Sequence, residues 1–147
     1  MQYLFMVALT FLSILLLFIP VSSFAGEIVR GSIPADVVSV YDGDTITVNA
    51  HPWPGLTIRT AVRLRGIDTP EIRGKCAAEI TAALAARDRL AELMVGGIHL
   101  ENISFDKYGG RVDADVITAQ GNAAQILIKT RLGREYGGGK RGGWCGS

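Results

Sequence analysis

DVVSVYDGDTITVN, residues 36–49, sets two short β-branched runs, Asp36–Tyr41 and Thr45–Asn49, on either side of Asp42-Gly43-Asp44. Branched side chains suit a pleated, half-buried surface and Asp-Gly is a tight-turn signal, so the stretch predicts an antiparallel hairpin. The following His51-Pro52-Trp53-Pro54-Gly55 holds two prolines without ladder donors and predicts a connecting loop. Thr57–Gly66 (TIRTAVRLRG) then alternates again, which makes a three-strand meander.

Downstream, Lys75–Met94 is alanine-rich and free of Gly and Pro. Ile80, Ala83, Leu84, Leu90, Leu93 and Met94 fall on one broad face at helical spacing, and Gly96-Gly97 ends the helix. Ile98–Phe105 and Arg111–Ile117 predict two more strands around a turn at 106–110. A second helix is expected over Asn122–Leu132, capped by Asn122 and closed by Gly133. The order β-β-β-α-β-β-α predicts an α+β fold. Five short strands bury their edges best by closing on themselves, so the expectation is a five-stranded OB-fold barrel with packed helices.

Fifteen basic and fourteen acidic side chains give a net charge of +1 in 147 residues, so any polyanion must be gripped locally. The apolar share of 48% is swollen by the residues before Glu27. Leu4–Ile19 is an apolar run followed by Pro20 and by Ser23 and Ala25, small residues at the positions a signal peptidase requires. Residues 1–25 are therefore expected to be a secretory signal peptide cut after Ala25, with an uncleaved membrane anchor as the alternative. Either reading exports the remainder, to the periplasm or beyond. Residues 26–136 suffice for one small domain with a single core. The clustered glycines of residues 137–147 mark a tail. Cys76 and Cys145 are expected to form a disulfide in an oxidising compartment, two free thiols being the alternative. His51 and His99 lie at no zinc-ligand spacing from these cysteines, so a metal should be held by oxygen.

Three segments carry candidate chemistry, each explicable singly as a polar turn or charged strand: Asp42-Gly43-Asp44-Thr45, Arg63-Leu64-Arg65-Gly66-Ile67-Asp68-Thr69-Pro70-Glu71, and Asp106-Lys107-Tyr108-Gly109-Gly110-Arg111. Strand alternation sends Arg63 and Arg65 to one face and leaves Asp68 and Glu71 just past the strand end. Together they supply hard oxygen ligands, a carboxylate to direct water, and guanidinium groups for charge developing on phosphorus.

VYDGDT, RLRGIDTPE and DKYGGR, in this order and with an alanine-rich helix between the last two, resemble the staphylococcal nuclease (thermonuclease) family across Val37–Tyr136. The resemblance implies that Asp44, Asp68 and the backbone carbonyl of Thr69 hold Ca²⁺. It implies that Glu71 is the general base or water-orienting group and that Arg63 clamps the phosphate. The family's Asp-Lys-Tyr-Gly-Arg pattern gains a glycine here, which puts Gly110 where the second arginine is expected and assigns that clamp to Arg111. Lys107, Tyr108 and Tyr136 match positions that touch the nucleotide. No apolar pattern after Tyr136 matches the founding member's last helix, and a Cys76–Cys145 bridge, with Trp144 covering apolar surface, is expected to anchor the tail instead. The implied activity is calcium-dependent hydrolysis of DNA and RNA, single-stranded or locally opened, by a monomer that leaves 3′-phosphate ends. The alternatives are a non-catalytic nucleic-acid-binding OB module and a structural calcium site in a protein that binds another anionic polymer.

Overall fold

The computed structural model describes residues 26–146, so the expected signal or anchor segment, residues 1–25, lies outside the described residues. Strands β1 (Ile28–Val29), β2 (Ile33–Val40), β3 (Thr45–Trp53), β4 (Leu56–Leu64) and β5 (Ile67–Asp68) precede helix α1 (Ala77–Leu93). Then come β6 (Ile98–Phe105), β7 (Arg111–Thr118), β8 (Gly121–Asn122), helix α2 (Ala123–Lys129) and β9 (Arg134–Glu135). β2, β3 and β4 pair antiparallel in turn, β4 runs parallel to β7, β7 pairs with β6, and β6 returns to β2. This circuit is a closed five-stranded barrel with two packed helices, the expected α+β, OB-like architecture. Closure leaves few backbone groups on free edges.

Alternation along the strands fills the barrel. Ile46 and Val48 of β3, Val62 and Leu64 of β4, Leu100 of β6 and Val116 of β7 are all buried. Leu90 and Leu93 of α1 and Leu127 of α2 join the same core. Four of the six residues of the expected α1 face, Ala83, Leu90, Leu93 and Met94, are buried, as is Ala86, whereas Ile80 and Leu84 are exposed. The helix joins the barrel core through Leu90, Leu93 and Met94, while Ala86 lies against Gly43.

Two other expectations are corrected. His51-Pro52-Trp53 is strand rather than loop: β3 continues to Trp53, which pairs with Leu56, and the register slips between Ala50 and Trp53. A bulge at that point accommodates Pro52, whose missing donor would break a regular ladder. The second helix ends at Lys129 instead of Leu132. Its N-terminus is capped as expected, Asn122 accepting a bond from the Gln125 amide at 3.2 Å. At the other end the Leu132 amide reaches Leu127 O (2.9 Å) and the Arg131 amide reaches Ile128 O (3.0 Å). This double closure puts Arg131, with φ +60°, in the left-handed position usually filled by glycine. Gly133 has another duty. A Cβ there would lie 2.6 Å from Ile67 Cδ1 and 3.1 Å from Asp68 O, so its bareness lets the chain after α2 pass against β5.

Cys76 and Cys145 are bonded to one another, with Cα atoms 6.1 Å apart, which ties the glycine-rich tail to the start of α1. Trp144 lies against the Arg134 guanidinium, 4.1 Å from ring centre to Cζ, in place of the expected apolar surface. Among the described residues no helix is long and apolar enough to cross a membrane.

Candidate active site

The turn between β2 and β3 is set by contact. The Asp44 amide donates to Asp42 Oδ1 (3.2 Å) and the Tyr41 amide to Thr45 O (3.0 Å). At Gly43 a Cβ would stand 2.7 Å from Ala86 Cβ and 2.9 Å from Thr69 Cβ. The glycine is therefore required for close approach, and through it the hairpin, the 68–71 segment and α1 are locked together. Asp44 and Asp68 reach the same site by this route.

Asp44 is buried, with Oδ1 accepting from Thr45 Oγ1 (2.9 Å) and Oδ2 from Arg63 Nη2 (3.1 Å). The same Nη2 donates to Ile67 O (3.1 Å), so Arg63 joins β4 to β5, and its guanidinium faces the Tyr136 ring at 5.6 Å. Asp68 is 1% exposed. Its Oδ2 accepts two bonds from Arg134, at 2.7 and 3.0 Å, a pairing created by the β5–β9 ladder in which Asp68 sits opposite Arg134. Its Oδ1 is buried without a hydrogen bond. Thr69 is also buried, against Gly43. Glu71 is more open, and Oε1 accepts from Arg141 Nη1 at 2.6 Å.

Glu71 stands on a supported loop. The carboxylate of buried Glu79, in the first turn of α1, accepts from the Lys75 amide (2.9 Å) and the Glu71 amide (3.4 Å). A Cβ at Gly74 would strike Glu79 Cγ at 2.5 Å, so only glycine lets that carboxylate lie against the loop. This is the glutamate half of a capping box shifted outward by one residue, since the N3 glutamate normally reaches the N-cap amide and the N-cap Cys76 side chain makes no capping bond here.

The second wall comes from the β6–β7 turn. Gly109 and Gly110 take left-handed φ values of +69° and +72°, so the added glycine is absorbed in the turn. Ala114 and Val116 beyond the turn are both buried. Arg111 Nε donates to Asp106, and its guanidinium lies 5.8 Å from the Tyr108 ring, with Lys107 Nζ on that ring at 4.9 Å. Burial pushes the Asp106 carboxyl up, but bonds from Arg111 and the Tyr108 amide and the charge of Arg111 hold it below its ordinary value. Arg63, Lys107, Tyr108, Arg111 and Tyr136 all line one cleft of about 590 Å³.

Four participants carry no sequence signal that singled them out for this site: Glu79, Arg134, Arg141 and Phe105. Phe105 is 82% exposed and lines the cleft beside Tyr108. Arg65 also lines it, with Nη2 bonded to Asn102 O, Ser104 Oγ and Asp113 O. Among the described residues, one group of three metal-ligating atoms lies within 4.8 Å of one another, Cys76, Glu79 and Cys145, and its sulfurs are joined in the bridge. Asp44, Asp68 and Glu71 do not meet that spacing and have arginines between them.

The acidic site carries surplus negative charge. Burial, with the charges of Asp44 and Glu71, pushes the Asp42 carboxyl up to about 6. At Arg141, burial opposes the charged form, but Asp68, Asp44 and Glu71 outweigh it and raise the pKa above its ordinary value. Because the folded protein binds the Asp42 proton more tightly than the unfolded chain does, this group favours folding below pH 3.8 and loses that contribution as pH rises through about 6. Asp42→Asn, in chelator, is expected to raise the melting temperature at pH 8, with the gain fading below about pH 4. Melting curves at the two pH values check this, and an equal effect at both would contradict it.

No protein-family model matches the chain, and no curated protein matches it.

Proposed function

We propose that the chain is a member of the staphylococcal nuclease family: an exported, calcium-dependent endonuclease that hydrolyses DNA and RNA, single-stranded or locally opened, to 3′-phosphate ends. One observation carries the reading. Three segments far apart in sequence meet through their side chains: Arg63, which lines one cleft with Arg111, bonds the Asp44 carboxylate, and Arg141 of the same cleft spans Glu71 and the Asp68 Oδ1 that accepts no hydrogen bond. The bridged cysteines support export.

An all-oxygen donor set with surplus negative charge and a buried oxygen that accepts no hydrogen bond fits a hard divalent cation. Asp44, Asp68 and the Thr69 carbonyl would hold Ca²⁺, which when bound polarises a phosphoryl oxygen and lowers the cost of charge at phosphorus. Glu71, half-exposed and paired with Arg141 of the cleft wall, takes the proton of the attacking water. Arg63 and Arg111 each keep N–H donors beyond those spent on Asp44, Ile67 and Asp106, and aim them at phosphate oxygens in a geometry no lysine reproduces. Tyr108, Tyr136 and Phe105 offer flat surfaces on which any base stacks, which suits low sequence preference. Net charge near zero limits nonspecific grip on duplex DNA.

The test is incubation of the purified chain with denatured DNA and with RNA, in Ca²⁺ and in chelator, followed by analysis of product ends. Calcium-dependent fragments with 3′-phosphates are expected. Binding without cleavage would transfer the reading to a non-catalytic OB module.

A further inference from the structure

We propose that Arg141 is a tethered internal cation: its guanidinium occupies the carboxylate site by way of the Asp68 Oδ1 face and Glu71, competes there with a divalent metal ion, and sets the affinity of the site for that ion. The inference rests on the proposed cation-binding role of these carboxylates and names the control of that same site.

The two oxygens of Asp68 differ. Oδ2 is consumed by Arg134, whereas Oδ1 has no hydrogen bond and faces Arg141 Nε at 3.4 Å. The other arm of Arg141 reaches Glu71 at 2.6 Å. One positive group therefore spans the coordinating oxygen and the carboxylate beside it. A divalent ion on Asp68 Oδ1 and a guanidinium 3.4 Å from the same oxygen repel one another, so ion binding there favours an outward position of Arg141.

The tail keeps that guanidinium nearby without fixing it. Arg134 donates to the carbonyls of Gly142 and Gly143, the two residues after Arg141, and Cys145 is bonded to Cys76 at the start of α1. On the other side the Tyr136 hydroxyl donates to Gly139 O at 2.7 Å. A group anchored on both flanks acts at high effective concentration. Yet the Arg141 side chain is 38% exposed, and the Lys140-Arg141 pair stands between Gly137–Gly139 and Gly142-Gly143, so it can swing out without opening the core. A partly exposed ion pair contributes on the order of 1 kcal/mol, which corresponds to roughly a fivefold change in affinity.

Calorimetric titration of the purified chain with Ca²⁺, alongside Arg141→Gln and Arg141→Lys, tests this. Arg141→Gln is expected to bind Ca²⁺ about fivefold more tightly, and its thermal stabilisation by Ca²⁺ to begin at correspondingly lower concentration. Arg141→Lys, which keeps the charge, should stay near the wild-type affinity. Equal or weaker binding by Arg141→Gln, or a lysine variant as tight as the glutamine one, overturns the competition while leaving the cation site standing. Absence of Ca²⁺ binding in wild type and variants alike overturns both.

Discussion

Glu71→Gln is expected to lower the rate of phosphodiester hydrolysis by two or more decades while Ca²⁺-dependent nucleotide binding persists, since general base catalysis contributes about 10²–10⁴-fold. Glutamine matches glutamate in shape and can still accept the Arg141 Nη1 bond. The amide of residue 71 still donates to Glu79, so the loop keeps its support. What disappears is the capacity to take a proton. Arg63→Ala would be a poorer test, because Arg63 also binds buried Asp44 and the Ile67 carbonyl, and its loss would combine a missing clamp with a broken buried pair. Asp68→Asn has the same flaw through Arg134. Single-turnover cleavage and nucleotide binding of Glu71→Gln, measured in Ca²⁺, separate the two effects. Full activity in that variant would remove Glu71 from the chemistry.

The barrel was legible because its strands obey a local rule: Ile46 and Val48 alternate with outward neighbours, and the same period carries Val62 and Leu64. The rule failed at Pro52, where a bulge fixed by the facing strand overrides a local breaker. It failed again at Gly133. A glycine after a helix reads as a cap, but here its bareness serves the approach to Ile67, a contact between residues far apart in sequence. The site shows the same division. Asp44, Arg63 and Asp68 lie in turns and strand ends whose local pattern is visible, and the structure brings them together. Arg134 and Arg141 are placed by a two-residue ladder and by a bridge that closes after 69 residues. A glycine-rich tail has no period from which such placement can be read.

That bridge also carries the largest stability effect. Cross-linking residues 69 apart removes loop-closure entropy from the unfolded chain, about 4 kcal/mol in the chain-entropy account. The Cys76→Ser, Cys145→Ser double variant is therefore expected to melt on the order of 15 °C below the wild type. Losses in the folded state add to this. Once released, residues 142–145 cease to hold Arg134 through the Gly142 and Gly143 carbonyls, and Trp144 leaves its guanidinium. Arg134 keeps its two bonds to Asp68, because the β5–β9 ladder is independent of the tail. The barrel should accordingly retain its strand signature at low temperature, and the deficit should appear as an earlier transition. Wild type in reductant should follow the double variant. Equal melting of oxidised, reduced and serine forms would show that the tail anchors nothing, and the loss of a bridge without loss of stability would place the barrel's whole stability in the core around Ile46, Leu64 and Leu90.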